Sequence, residues 1–267
     1  MSSPSRTGFV PANGLQLFYE IHGEIHGTGQ PLVLIHGGVA ASEAFRPNLP
    51  ALAATRQVIA VHLQGHGHTK DIDRPLRYEF LADDIAVVIR HLDLVKPDVL
   101  GYSLGGGVAL QLAIRHPDAV GKLIVVSEVI QHKGWYPEVL ATFKKMPEFA
   151  PQIAQGLKQS PLARRYPDVN WETVFRKIGE MTSHDYDWSA AVAAIHSPMM
   201  LVFADADAMP LEHIVEFYKL IGGGQRDAGV DGSLRSPARL AIVPGTTHYN
   251  LLATDTVSRL VAPFLGA

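Results

Sequence analysis

Short apolar runs alternate with longer segments of helical period along most of this chain. "PLVLIHGG" (31–38), "RQVIAVHL" (56–63), "PDVLGYS" (97–103), "GKLIVVSEV" (121–129), "PMMLVFAD" (198–205) and "RLAIVPG" (239–245) are apolar on consecutive positions. Such runs suit strands buried on both faces. Between them, "RYEFLADDIAVVIRHLDL" (77–94) predicts a helix with Phe80, Leu81, Ile85, Val88 and Ile89 on one face. "LGGGVALQLAIRHP" (104–117) predicts a helix stopping before Pro117, and "PLEHIVEFYKLIGGG" (210–224) one with a glycine end. "AASEAFRPNLPALAA" (40–54) is expected to turn helical near Pro47, and "NLLATDTVSRLVAPFLGA" (250–267) to close the chain as a helix. Ahead of them all, "GFVPANGLQLFYEIHG" (8–23) reads as two strands around an Asn13-Gly14 turn.

Strand–helix alternation implies a mostly parallel sheet covered on both faces, an α/β architecture. Residues 130–195 break the pattern: they are helix-forming, carry several prolines, and cluster Trp135, Tyr136, Phe143, Phe149, Trp171 and Phe175. The expected organisation is therefore a core of residues 1–129 and 196–267 with a helical insertion, 130–195, over one end of the sheet. "GGGQRDAGVDGSLRSP" (222–237) reads as an exposed loop.

In a sheet of this kind ligands bind beyond the carboxyl ends of the strands. Ser103 follows one run, Glu128 the next, Asp205 and Asp207 the next, and His248 the last. A serine, a carboxylate and a histidine thus fall on one side of the sheet. Serine is a weak nucleophile until an adjacent base takes its proton, and a carboxylate fixes the tautomer of that base. A helix starting at Ser103 would also aim free N–H groups at developing negative charge.

"GYSLG" resembles the G-x-S-x-G nucleophile elbow of the α/β-hydrolase superfamily, and Ser…Asp…His is that family's chain order. The "HGG" and "GHG" turns add to the likeness, which runs over nearly the whole chain. The chain looks most like esterase and perhydrolase-like members with a short helical cap. The resemblance implies an eight-stranded, mostly parallel sheet flanked by helices. It also implies Ser103 as nucleophile, His248 (from G-x-x-H) as base and Asp207 (from G-x-x-D, with Ala204 in place of glycine) as acid. Glu128 is the alternative acid, because some lactone-hydrolysing relatives take theirs from the end of the preceding strand; otherwise it is a polar group under the cap or a substrate contact. Leu104, directly after the nucleophile, and Gly38, by resemblance, are the expected oxyanion donors. His36 is expected to be a buried shaper of the oxyanion turn. Trp135, Tyr136 and Phe143 are candidate pocket residues. The implied reaction is hydrolysis of a small-molecule carboxylic ester without a cofactor; lactone opening, perhydrolysis, C–C hydrolysis and a non-catalytic binding role are the alternatives.

Composition narrows the rest. With 267 residues, 47% hydrophobic and 18% charged, the chain can bury a sizeable core. A net charge of −3 with mixed signs carries no footprint for nucleic acid or an acidic membrane. No cysteine is present, which excludes disulfides and thiolate chemistry. The start "MSSPSRTGFVPANG" lacks the apolar stretch of a secretory signal, and a cytoplasmic protein is expected. His62, His66 and His68 lie close together, but no carboxylate or cysteine completes a metal-ligand spacing, so no metal is expected. The family usually has an aspartate where His62 stands.

Overall fold

The computed structural model describes residues 4–23 and 29–266; residues 1–3 and 24–28 of the expected core, and residue 267, lie outside the described residues. Eight strands form one sheet in the order β1-β2-β4-β3-β5-β6-β7-β8. They are β1 (Arg6–Ala12), β2 (Leu15–His22), β3 (Leu32–Ile35), β4 (Val58–Val61), β5 (Asp98–Tyr102), β6 (Leu123–Val126), β7 (Met199–Ala206) and β8 (Arg239–Thr247). β1 and β2 form an antiparallel hairpin, β2 also runs antiparallel to β4, and the remaining pairs are parallel. Asn13 and Gly14 both have positive φ at the hairpin turn, as a tight primed turn requires.

Helices cover both faces: α1 (Leu49–Leu52), α2 (Tyr78–His91), α3 (Leu104–Arg115), α4 (Pro137–Leu157), α5 (Pro161–Arg165), α6 (Trp171–Thr182), α7 (Ser189–Ala193), α8 (Leu211–Leu220) and α9 (Thr256–Leu265). Alternate strand residues serve opposite faces. Val33, Ile35, Val99 and Val125 join a core with α2 and α3, whereas Leu32, Leu34, Leu100 and Ile124 join one with α1 and α9. This double burial explains the continuous apolar runs of β3 to β7; β8, at the sheet edge, departs from it, with only Val243 buried and Ile242 41% exposed.

One detail departs from the sequence expectation. On α2, Phe80 is 40% exposed while Leu81, Ile85, Val88 and Ile89 are buried. Phe80 precedes Leu81 by about 100° of helix rotation, off the buried stripe, and the Arg74 guanidinium stacks over its ring. The 40–54 segment turns helical after Pro47 as expected, in the single turn of α1, with a 3₁₀ turn at Ser42–Phe45 before it. In the helix-forming insertion, α4 runs unbroken through Pro147 and Pro151. A helix normally breaks at proline. Here α4 packs closely on α6, and a side chain added at Gly179 would sit 2.5 Å from the Pro147 ring. The Pro147 ring of α4 therefore fits against a bare glycine of its partner.

Candidate active site

The turn from β5 into α3 depends on two glycines. A Cβ at Gly101 would lie 2.0 Å from the Gly105 carbonyl oxygen, and one at Gly105 would lie 2.1 Å from that of Ile35. No side chain fits either place. Between them, Ser103 adopts φ 52° and ψ −127°, a conformation that non-glycine residues rarely take unless their surroundings enforce it. Its N–H donates to the Val126 carbonyl on β6 and its carbonyl accepts from Gly107, which fixes the strained residue from both sides.

The structure brings Ser103, His248 and Asp207 together. Ser103 Oγ lies 3.0 Å from His248 Nε2, and His248 Nδ1 lies 2.9 Å from Asp207 Oδ1. A carboxylate accepts only, so Nδ1 carries the ring proton and Nε2 is left free to accept from the serine hydroxyl. Asp207 also accepts from the Ser127 hydroxyl (2.6 Å) and from the N–H groups of Ala204 (2.9 Å) and Ala208 (2.8 Å). Burial pulls this carboxyl upward, but the His248 contact, Ser127 and Ala204 outweigh it and leave it below the usual carboxylate range. It is the ionised partner of the histidine. Glu128, the alternative acid, does not contact the ring; its Oε1 accepts from the Val129 N–H instead.

Irregular backbone delivers the histidine. Register slips between Ala204 and Ala206 where β7 pairs with β8, and Gly245 takes φ 70°. Asp205 accepts from the Gly245 and Thr246 N–H groups, pinning the turn that leads to His248. Two supporting residues were not singled out from sequence. Ser127 reaches Asp207 because β6 and β7 are neighbours, and it also has a positive φ of 51°. Tyr102 stacks on the His248 ring and its hydroxyl donates to the His248 carbonyl. Its one signal was adjacency to Ser103.

A cavity of about 510 Å³ opens over Ser103, lined by Gly38, Leu104, Trp135, Phe143 and Ile178 among others. Among the described residues the Gly38 and Leu104 N–H groups have no protein acceptor. Trp135 packs edge-on against both His248 and Phe143. Tyr136 does not line the cavity and is 37% exposed. It follows Trp135 in extended backbone, where successive side chains point to opposite sides, so Trp135 turns inward and Tyr136 outward.

Behind the Gly38 turn sit three buried histidines whose ring nitrogens are all engaged. His36 Nδ1 donates to the Gly37 carbonyl while Nε2 accepts from Leu63 N–H. His66 does the same with Gln64 and Val39. His62 Nδ1 accepts from His68 N–H while Nε2 donates to the Ser42 hydroxyl. Burial, followed for His62 and His66 by neighbouring histidines, lowers these rings to about 4 for His36, about 2 for His62 and about 3 for His66. All three are neutral braces. Among the described residues no helix is long and apolar enough to cross a membrane.

Residues 30–242 match the family model described as alpha/beta hydrolase fold, and the chain belongs to that family. Among curated proteins it is 38% identical over 104 residues to 2-hydroxymuconate semialdehyde hydrolase of Pseudomonas sp. strain CF600, covering 38% of this chain and 37% of that protein. It is 40% identical over 131 residues to pimeloyl-[acyl-carrier protein] methyl ester esterase of Neisseria meningitidis serogroup B, covering 47% and 49%. The matches thus span about half the length of these relatives or less. The enol-lactonase of Burkholderia xenovorans LB400 shares the fold with a TM-score of 0.74 at 21% identity, covering 97% of this chain and all of that one.

Proposed function

We propose that this protein is a serine hydrolase of carboxylic esters. The observation that carries the reading is His248, bonded through one ring nitrogen to a strained serine and through the other to a buried carboxylate. Ser103 Oγ attacks the ester carbonyl as His248 Nε2 takes its proton, and Asp207 stabilises the imidazolium. The Gly38 and Leu104 N–H groups hold the oxyanion; losing one such donor costs on the order of 3 kcal/mol of transition-state stabilisation. The alcohol leaves with the proton from His248, and water, activated by the same ring, releases the acid. Residues 130–195 act as a cap that restricts water and supplies Trp135 and Phe143 to the pocket. A cavity of this size and apolar lining suits a small ester with a hydrophobic acyl or alcohol part.

A second reading keeps the triad and changes the electrophile, to a lactone, a peroxide-accepting acyl enzyme or a C–C bond. The match to a protein named for hydrolysing 2-hydroxymuconate semialdehyde favours keeping it in view. A panel of p-nitrophenyl esters of increasing chain length, with lactones alongside, tests both. Ester turnover that disappears in Ser103→Ala is expected. Turnover of lactones alone, or of neither class, would overturn the ester reading.

A further inference from the structure

Since Asp207 occupies the histidine, Glu128 is a buried carboxyl that the proposed chemistry does not use. It is 1% exposed, it lines the Ser103 cavity, and its Oε2 has no hydrogen-bond partner. An unpaired buried polar atom costs stability, so its persistence on a cavity wall calls for a ligand that satisfies it. The fold also leaves space for it: a Cβ at Gly106 would sit 2.8 Å from Glu128 Cβ.

We propose that Glu128 determines specificity in this cavity by presenting Oε2 to a second oxygen on the substrate, a keto, hydroxyl or ether oxygen apart from the scissile ester. The inference rests on the esterase reading above. Among the described residues no lysine or arginine lines the cavity; the other groups there that titrate are Glu138, His248, Tyr78, Tyr102 and Tyr249. Burial pushes the Glu128 carboxyl well above its ordinary range, the Asp207 charge pushes the same way, and the Val129 N–H offsets this only in part. The group is therefore a neutral acid with an O–H to donate, which favours an uncharged oxygen over a cation as its partner. One such hydrogen bond to a buried group discriminates by about tenfold against a ligand lacking it.

The test compares p-nitrophenyl alkanoates with keto- and hydroxy-alkanoates of equal length, the oxygen being moved along the chain. The readout is the ratio of kcat/KM values, which a general loss of activity leaves unchanged. The unaltered protein is expected to favour at least one oxygenated ester about tenfold. Glu128→Leu (or Glu128→Ala, should Leu not fold) is expected to bring that ratio close to one, and Glu128→Gln to retain most of it. A ratio that Leu does not change, no oxygen preference in the unaltered protein, or preference for a trimethylammonium ester that Gln abolishes would each overturn the proposal. Calorimetric binding of methyl keto-esters against plain methyl esters to Ser103→Ala gives the same ratio without turnover. That arm keeps failure of the esterase reading distinct from failure of the Glu128 assignment: absent turnover with an intact binding ratio contradicts only the former.

Discussion

Replacing Asp207 with asparagine separates its charge from its shape. In the native site each carboxylate oxygen accepts only: Oδ1 takes the His248 and Ala208 N–H groups, and Oδ2 takes the Ser127 hydroxyl and the Ala204 N–H. An amide NH₂ must therefore face a backbone donor on either side. Placed at Oδ1, it turns His248 to the tautomer that carries its proton on Nε2, and Ser103 loses its base. Loss of the right tautomer on such a triad costs about ten-thousandfold in kcat, or about 5.5 kcal/mol. Placed at Oδ2, it can donate to Ser127 but opposes Ala204 N–H, costing about 1–3 kcal/mol of stability while the ring keeps its acceptor. Oδ1 already serves His248 and Ala208, so either placement destabilises, and in either the imidazolium loses the negative charge that stabilises it. The assay is kcat on the best p-nitrophenyl ester, with urea unfolding in parallel. A fall of about ten-thousandfold in Asp207→Asn with an intact fold is expected, and Glu128→Ala should be far milder. Asp207→Asn retaining more than about a tenth of the activity, while Glu128→Ala abolishes it, would refute the assignment of the acid.

Two further outcomes follow from the same geometry. His36, His62 and His66 are neutral in the fold at about 4, 2 and 3, whereas the unfolded chain takes up their protons below 6.5, so stability falls as pH drops below 6.5 toward those values. From pH 7.5 to 5 each ring withdraws about 2 kcal/mol and the three about 6, read as a falling urea midpoint; a midpoint constant over that window would contradict the brace. Gly105→Ala pushes a methyl into the Ile35 and His36 carbonyls, 2.1 and 2.5 Å away, and should cost about 3 kcal/mol or more in urea unfolding, a near-neutral effect counting against the elbow geometry.

The parts of the site visible in the sequence were those fixed by position along the chain. Ser103, Asp207 and His248 each follow an apolar run, and a parallel sheet gathers such ends on one edge. The glycines flanking Ser103 were equally plain, since only close backbone approach demands them. What stayed hidden depends on contacts across the sheet or between helices. Ser127 supports Asp207 only because β6 and β7 are neighbours at that register. Trp135 and Tyr136 look alike in composition, and only the backbone direction before α4 separates the inward ring from the outward one. The contact of the Pro147 ring with Gly179 joins α4 to α6, a partner lying far along the chain. Phe80 lies one residue from the buried Leu81, and that single step of rotation moves its side chain off the buried stripe, which a helical period does not resolve.

Fluorophosphonate labelling read by peptide mass shows whether Ser103 is a nucleophile activated by His248. One adduct is expected, on the peptide containing Ser103, absent in Ser103→Ala and at least about a hundredfold slower in His248→Ala. An unlabelled Ser103 in the folded protein, or a rate indifferent to the loss of His248, would contradict that role.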